Sequence, residues 1–167
     1  MESKAKLLGH PIHQMLVVFP LGLLGTSLVF DLCHRFGTLS DVMALVAYYL
    51  ILAGLIAGVV AAPFGTIDWL NIPHGTRAKS VGGLHGLGNV AVLALFGLSW
   101  LLRRELPEQP TLLAQTLSFA GAMLSLVTAW LGGELVDRLG VGVDDGAHLN
   151  APSSLRSTDA RVGPRPR

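Results

Sequence analysis

Gly9-His10-Pro11-Ile12-His13 puts two imidazoles three positions apart, at the mouth of the first of four long apolar segments. His85 and Asn89 lie four residues apart early in the third segment, on one face if it is helical. Two histidines from facing helices are the donor set for the axial positions of a b-type haem or related redox centre. The pair best placed for that chemistry is His13 with His85, with His10 as a substitute and Asn89 beside the ring. Arg77, Lys79 and Arg138 supply positive charge for propionates. The second chemistry is a bare metal site from His10, His13, His85, Asp68 and Glu134, whose imidazole and carboxylate donors suit zinc or non-haem iron. No HExxH or comparable signature occurs, and no nucleophile–base pair points to hydrolysis.

A third reading assigns these residues no cofactor. His10 then caps the first helix. His13 and His85 serve as hydrogen-bonding glue between helices. Glu134 and Arg138, and Asp31 and Arg35, form ion pairs one turn apart. On that reading the chain is a membrane scaffold or a subunit of a larger complex. His74 and His148 fall in a loop and the tail and carry no assignment.

The elements that position these residues follow from composition. Of 167 residues, 51% are hydrophobic and 14% charged, where a soluble domain carries about 25% charge. Apolar runs over about 11–36, 41–64, 81–102 and 111–133 are each long enough to cross the hydrocarbon core. Lipid forces such segments to satisfy their backbone internally, so they are helices. Short connections make them an all-α, up-down-up-down four-helix transmembrane bundle over residues 1–139. Residues 140–167 are rich in Gly, Pro, Ser, Asp and Arg, read as a disordered polar tail whose Arg156, Arg161, Arg165 and Arg167 can touch headgroups. The basic start at Lys4 and Lys6 precedes too long an apolar run for a cleaved signal, so the first span is expected to stay.

Alternation of spans places the starts of the first and third with the ends of the second and fourth, which collects His10, His13, Asp68, His85, Asn89, Glu134 and Arg138 at one end. Lys4, Lys6, Arg77, Lys79 and Arg138 outweigh Arg35, Arg103 and Arg104 at the other end, which predicts both termini in the cytoplasm of a bacterial inner membrane. Trp69 and Trp130 then mark one interface and Trp100, Tyr48 and Tyr49 the other. Gly54 with Gly58, Gly82 with Gly86, and Gly121 with Ser125 form small-residue faces suited to helix packing or oligomerisation. Pro20 and Pro63 are expected to kink or end helical turns. A net charge of +1 with no basic stripe excludes nucleic acid as a partner, and the single Cys33 excludes an internal disulfide.

Gly-His-Pro-Ile-His at 9–13, Met15 to Pro20, Ile67-Asp68-Trp69-Leu70, His85 with Asn89, and Trp130 to Val136 together resemble the bacterial membrane domain-of-unknown-function family 2231. The likeness covers roughly residues 9 to 143. It implies a four-helix membrane protein, and some family members resemble chains with an appended Rieske-type domain, which implies an electron-transfer setting and a redox or iron–sulfur partner. One cysteine is too few to ligate such a cluster here. Family members commonly carry a further histidine before the Phe-Pro of the first span. This chain has Val18 before Phe19-Pro20.

Overall fold

The computed structural model describes residues 1–37 and 40–155, leaving the four tail arginines outside the described residues. A short antiparallel hairpin of β1 (Lys6–Leu7) and β2 (His10–Pro11) precedes the helices α1 (Ile12–Leu16), α2 (Val18–Phe36), α3 (Ser40–Leu70), α4 (Arg77–Leu102) and α5 (Leu112–Gly133). The chain reverses between the strands through Leu8 and Gly9, both at positive φ. Helices α1 and α2 make one span. Val17 N–H reaches His13 O at 3.1 Å and Leu21 N–H reaches Val17 O at 3.2 Å, so the backbone carries through. The break falls at Val17 because Pro20 has no N–H to offer the Leu16 carbonyl.

Four spans are long and apolar enough to cross a membrane: Ile12–Phe36, Asp41–Leu70, Arg77–Leu102 and Leu112–Arg138. Three of them outrun the sequence expectation at the histidine-bearing end, α4 by starting at Arg77 rather than 81. Helix α3 continues through Pro63 to Leu70, which puts Asp68 and Trp69 on the helix rather than beyond it. Helix α5 passes into a π-helical turn, Glu134–Arg138, closed by Leu139 N–H on Glu134 O at 3.0 Å. Thr76 and Thr111 cap α4 and α5, accepting from Lys79 N and Ala114 N.

The helices pack as two hairpins, α2 against α3 and α4 against α5, which meet across a thinner seam. Leu24, Ile51, Val92 and Phe96 form the buried core of that seam. The outer surface is apolar, with Phe19, Val59, Leu87, Val90 and Met123 all more than half exposed, as a lipid-facing wall requires. Glycines let the hairpins close. A Cβ on Gly54 would stand 2.6 Å from Leu24, and one on Gly121 would stand 2.9 Å from Phe96. Gly58 and Gly82 are likewise filled by Leu93 and Trp69. These faces, expected to serve oligomerisation as readily as folding, are consumed within the chain. Of the five glycines in those pairs, Gly86 alone adjoins open space.

Residues 140–155 run as turns along the N-terminal segment. The Met1 amino group donates to Gly140 O at 2.8 Å, Gly142 N–H returns to Met1 O at 2.9 Å, and Asp145 N–H donates to Glu2.

Candidate functional site: a symmetric pair of histidines

His13 leans across its hairpin and its Nδ1–H donates to the Ala61 carbonyl of α3, 3.0 Å away. His85 does the same in the second hairpin, donating Nδ1–H to the Thr128 carbonyl of α5 at 2.9 Å. Four residues beyond each acceptor stands a glycine that makes room for the ring. A Cβ on Gly65 would stand 2.7 Å from His13, and one on Gly132 would stand 3.2 Å from His85.

The correspondence extends the length of both hairpins. Laying His13 on His85 lays Leu24 on Phe96, Ser27 on Ser99 and Asp31 on Arg103. Laying Ala61 on Thr128 lays Gly65 on Gly132, Gly54 on Gly121 and Ala47 on Ala114. Ser27, Ser99, Ala47 and Ala114 are all fully buried. The two halves are therefore copies of one helical hairpin running in the same direction, related by a pseudo-two-fold axis along the bundle.

A residue that touches its own counterpart must straddle such an axis. Asp31 and Arg103, 72 residues apart, do so at the end remote from the histidines. Arg103 Nη1 and Nη2 donate to Asp31 Oδ1 and Oδ2 at 2.6 and 2.7 Å, with both side chains completely buried. Ser99 and Ser118 complete the ring of partners, at 3.2 Å from Arg103 Nε and 3.1 Å from Nη2. At the other end the same correspondence relates His13 to His85.

With Nδ1–H committed to a carbonyl, Nε2 is the lone-pair nitrogen of either ring in its uncharged form. The two are differently occupied. Asn89 Nδ2 donates to His85 Nε2 at 3.1 Å and to the His85 carbonyl at 3.0 Å, and is itself held by Thr128 Oγ1 at 3.0 Å. In the first hairpin Val17 and Ala61 stand where Asn89 and Thr128 stand in the second, and among the described residues His13 Nε2 has no partner.

The other sequence candidates go elsewhere. His10 does not cap the first helix. It lies in β2, exposed, with Ser154 Oγ 3.2 Å from its Nε2, because the cap position falls to Pro11, whose ring has no side-chain acceptor. Asp68 ties down the N-terminus, accepting from Ser3 Oγ at 2.8 and 2.7 Å and from Lys4 N at 2.8 Å. Glu134 pairs with Arg77 at 2.7 Å rather than with Arg138, since the π turn breaks the one-turn spacing that pairing needed; Arg138 is left exposed. Asp31 likewise pairs with Arg103 and not with Arg35. Lys79 donates to Trp69 O at 2.7 Å, sits 4.2 Å over the Trp69 ring, and accepts from Trp69 Nε1 through its own carbonyl at 3.0 Å, closing the α3–α4 turn. Among the described residues no three His, Cys, Asp or Glu side chains gather as a metal site. The five-residue set of imidazoles and carboxylates is thus dispersed. What remains is one anchored imidazole in each hairpin, at matching positions.

Sequence inspection found both histidines but not their equivalence, nor the partner of Arg103. The signal was present. Residues 13–31 and 85–103 share His, Val, Leu, Leu, Gly and Ser at matching positions.

Four lipid-length helices, a lipid-facing apolar wall and polar residues withdrawn to two points on an internal axis define a polytopic helical membrane protein. The chain belongs to the family described as predicted membrane protein (DUF2231), which its residues 9–145 match. No curated protein and no solved structure matches it.

Proposed function

We propose that His13 and His85 are the two axial ligands of a single b-type haem and that the chain is an electron-carrying membrane subunit. The observation that carries this is the matched anchoring of the two rings. Each gives Nδ1–H to a backbone carbonyl of its own hairpin. That arrangement fixes the tautomer and raises the basicity of Nε2, as it does for metal-bound histidine generally. The number of donors also discriminates. A bare zinc or iron ion needs three or four protein ligands, which the described residues do not gather, whereas a haem brings four of its own and asks for two. To hold a haem, His85 Nε2 would have to give up its bond from the Asn89 amide, which would keep its second bond to the His85 carbonyl. Bound there, the haem would supply one-electron transfer. The protein's part is to hold and orient the imidazoles and to keep water from them.

Orientation with both termini cytoplasmic is part of the same proposal. Arg103 is neutralised inside the bundle, so it drops from the charge count of its end and the basic excess at the histidine end grows. A redox or iron–sulfur protein on that side is the partner class this reading calls for.

The scaffold reading keeps one specific support: Asn89 and Thr128 satisfy His85 completely without a cofactor. An optical spectrum separates the two. Protein purified from haem-replete cells is expected to show a Soret band and about one iron per chain, lost in His13→Ala and in His85→Ala and retained in Asn89→Ala. A folded protein with no Soret band, or a band indifferent to both alanine variants, overturns the proposal.

A further inference from the structure

The pseudo-two-fold axis implies two equivalent flanks beside the Asp31–Arg103 pair, and they are not filled alike. On the flank where α3 meets α4, Tyr48 stacks on Trp100 with ring centroids 5.5 Å apart and planes 19° apart. Tyr49 meets Tyr48 edge-on at 5.3 Å, and Arg104 lies over the Trp100 ring at 5.7 Å. The counterparts of Tyr48 and Tyr49 are Gln115 and Thr116 of α5, and the counterpart of Trp100 is Leu28. The aromatic stack is therefore missing from the other flank. Where the two tyrosines would stand is a cleft of about 250 Å³, open on one side and walled by Asp31, Arg35, Phe36, Gln115, Thr116 and Phe119.

Gln115 is 94% withdrawn from solvent, since only 6% of it is exposed, and its Nε2 has no acceptor. An amide nitrogen buried without a partner costs about 1–3 kcal/mol, so the structure holds a donor awaiting an acceptor oxygen. Arg35 adds a second donor at the cleft wall. Phe36 and Phe119 supply aromatic faces, and the volume takes a ring but not a long tail.

We propose that this cleft between α2 and α5 binds the ring of a lipid-soluble quinone, with Gln115 Nε2 donating to a ring carbonyl and the isoprenoid chain leaving through the open side. Three features select that class. The space is the counterpart of one that the same fold fills with a planar ring. The one buried wall atom without a hydrogen-bond partner among the described residues is a donor, which calls for a carbonyl. The site lies on a surface otherwise suited to lipid, so its ligand arrives from the bilayer. The inference concerns the end opposite the histidines and stands whether or not they bind haem.

Full-length protein in detergent micelles, equilibrated with ubiquinone-1, tests it. Saturable binding of one ubiquinone-1 per chain above the partition into empty micelles is expected. Gln115→Leu keeps the volume and removes the donor, and is expected to weaken binding at least tenfold without lowering Tm. Thr116→Tyr rebuilds the filled flank of the other hairpin and is expected to abolish binding. If Gln115→Leu fails to fold, Thr116→Tyr decides alone. No saturable binding, or binding unchanged in the variant that folds, overturns the proposal. Displacement of ubiquinone-1 by stoichiometric phosphatidylglycerol that itself depends on Gln115 also overturns it, and assigns the cleft to a phospholipid carbonyl or phosphate instead.

Discussion

Exchanging the charges of the axial ion pair tests the internal symmetry directly. Asp31 and Arg103 are completely buried and joined by two hydrogen bonds of 2.6 and 2.7 Å. Removing one member of such a pair leaves an uncompensated charge and costs about 3–5 kcal/mol. For a chain of this length that is a fall in Tm of roughly 6–20 °C. Arg103→Met and Asp31→Leu singly are expected to show that loss, and the double variant to recover most of it, because an apolar pair has no desolvation to repay. The informative variant is the swap, Asp31→Arg with Arg103→Asp. If positions 31 and 103 are related by the axis, the exchanged pair finds the same geometry, and Ser27 Oγ stands for the new guanidinium where Ser99 Oγ stands for Arg103. Only the Ser118 contact has no counterpart, since Ile51 occupies its place, so the swap is expected to fall short of wild type by about 1 kcal/mol. Thermal unfolding in micelles reads all four variants. A swap as unstable as the single variants would refute the axial placement.

Other perturbations address the histidine end and the cap over it. Gly65→Ala drives a Cβ to 2.7 Å from His13 and is expected to cost about 1–3 kcal/mol, whereas Gly132→Ala, at 3.2 Å from His85, costs less; comparative Tm values check the order. Thr128→Val removes the hydroxyl that holds Asn89 and is expected to cost about 0.6 kcal/mol, in the range of hydrogen bonds between membrane helices, leaving the His85–carbonyl bond intact by imidazole nitrogen NMR. Glu2 carries a carboxyl held below its ordinary pKa, first by its hydrogen bond to Lys6 and then by Asp145 N–H. A depressed carboxyl stabilises the fold above its unfolded pKa and loses that contribution as pH falls through the folded value. Amide protection in residues 1–8, taken relative to the intrinsic exchange rate at each pH, is therefore expected to fall on acidification below the ordinary glutamate range, and to do so less in Glu2→Gln.

The four spans were legible because length and apolarity decide them in lipid, where the backbone has no alternative to the helix. Their inner ends were not. Nothing in the pattern from Phe64 to Leu70 announces that α3 runs on past Pro63, and the π turn at Glu134 shifts every later residue off its i to i+4 partner. That slip explains why Glu134 meets Arg77 and not Arg138. The histidines were found from their types, and their shared end from the alternation of spans. Local spacing misassigned Asp31 for a different reason. Arg35, one turn further along the same helix, is exposed at the end of the span, while a buried carboxylate needs a partner that is buried too, and Arg103 comes from 72 residues along the chain. The repeat that would have named that partner is weak by identity but regular in register.

The two ends of the axis show how a duplicated hairpin acquires unlike sites. Any residue on the axis meets a copy of itself, so a duplicated chain begins with like facing like. Identical imidazoles tolerate this, since each has a carbonyl of its own to bind. A carboxylate facing a carboxylate in a low-dielectric interior does not, and divergence to opposite charges turns the repulsion into a bidentate bond. Off the axis no such constraint acts, and there the halves have drifted apart in volume, with Tyr48 and Tyr49 against Gln115 and Thr116. Where symmetry is kept, at His13 and His85, the requirement is for two equal groups. Where it is lost, beside Gln115, the molecule has gained a cavity that its own other half shows how to fill.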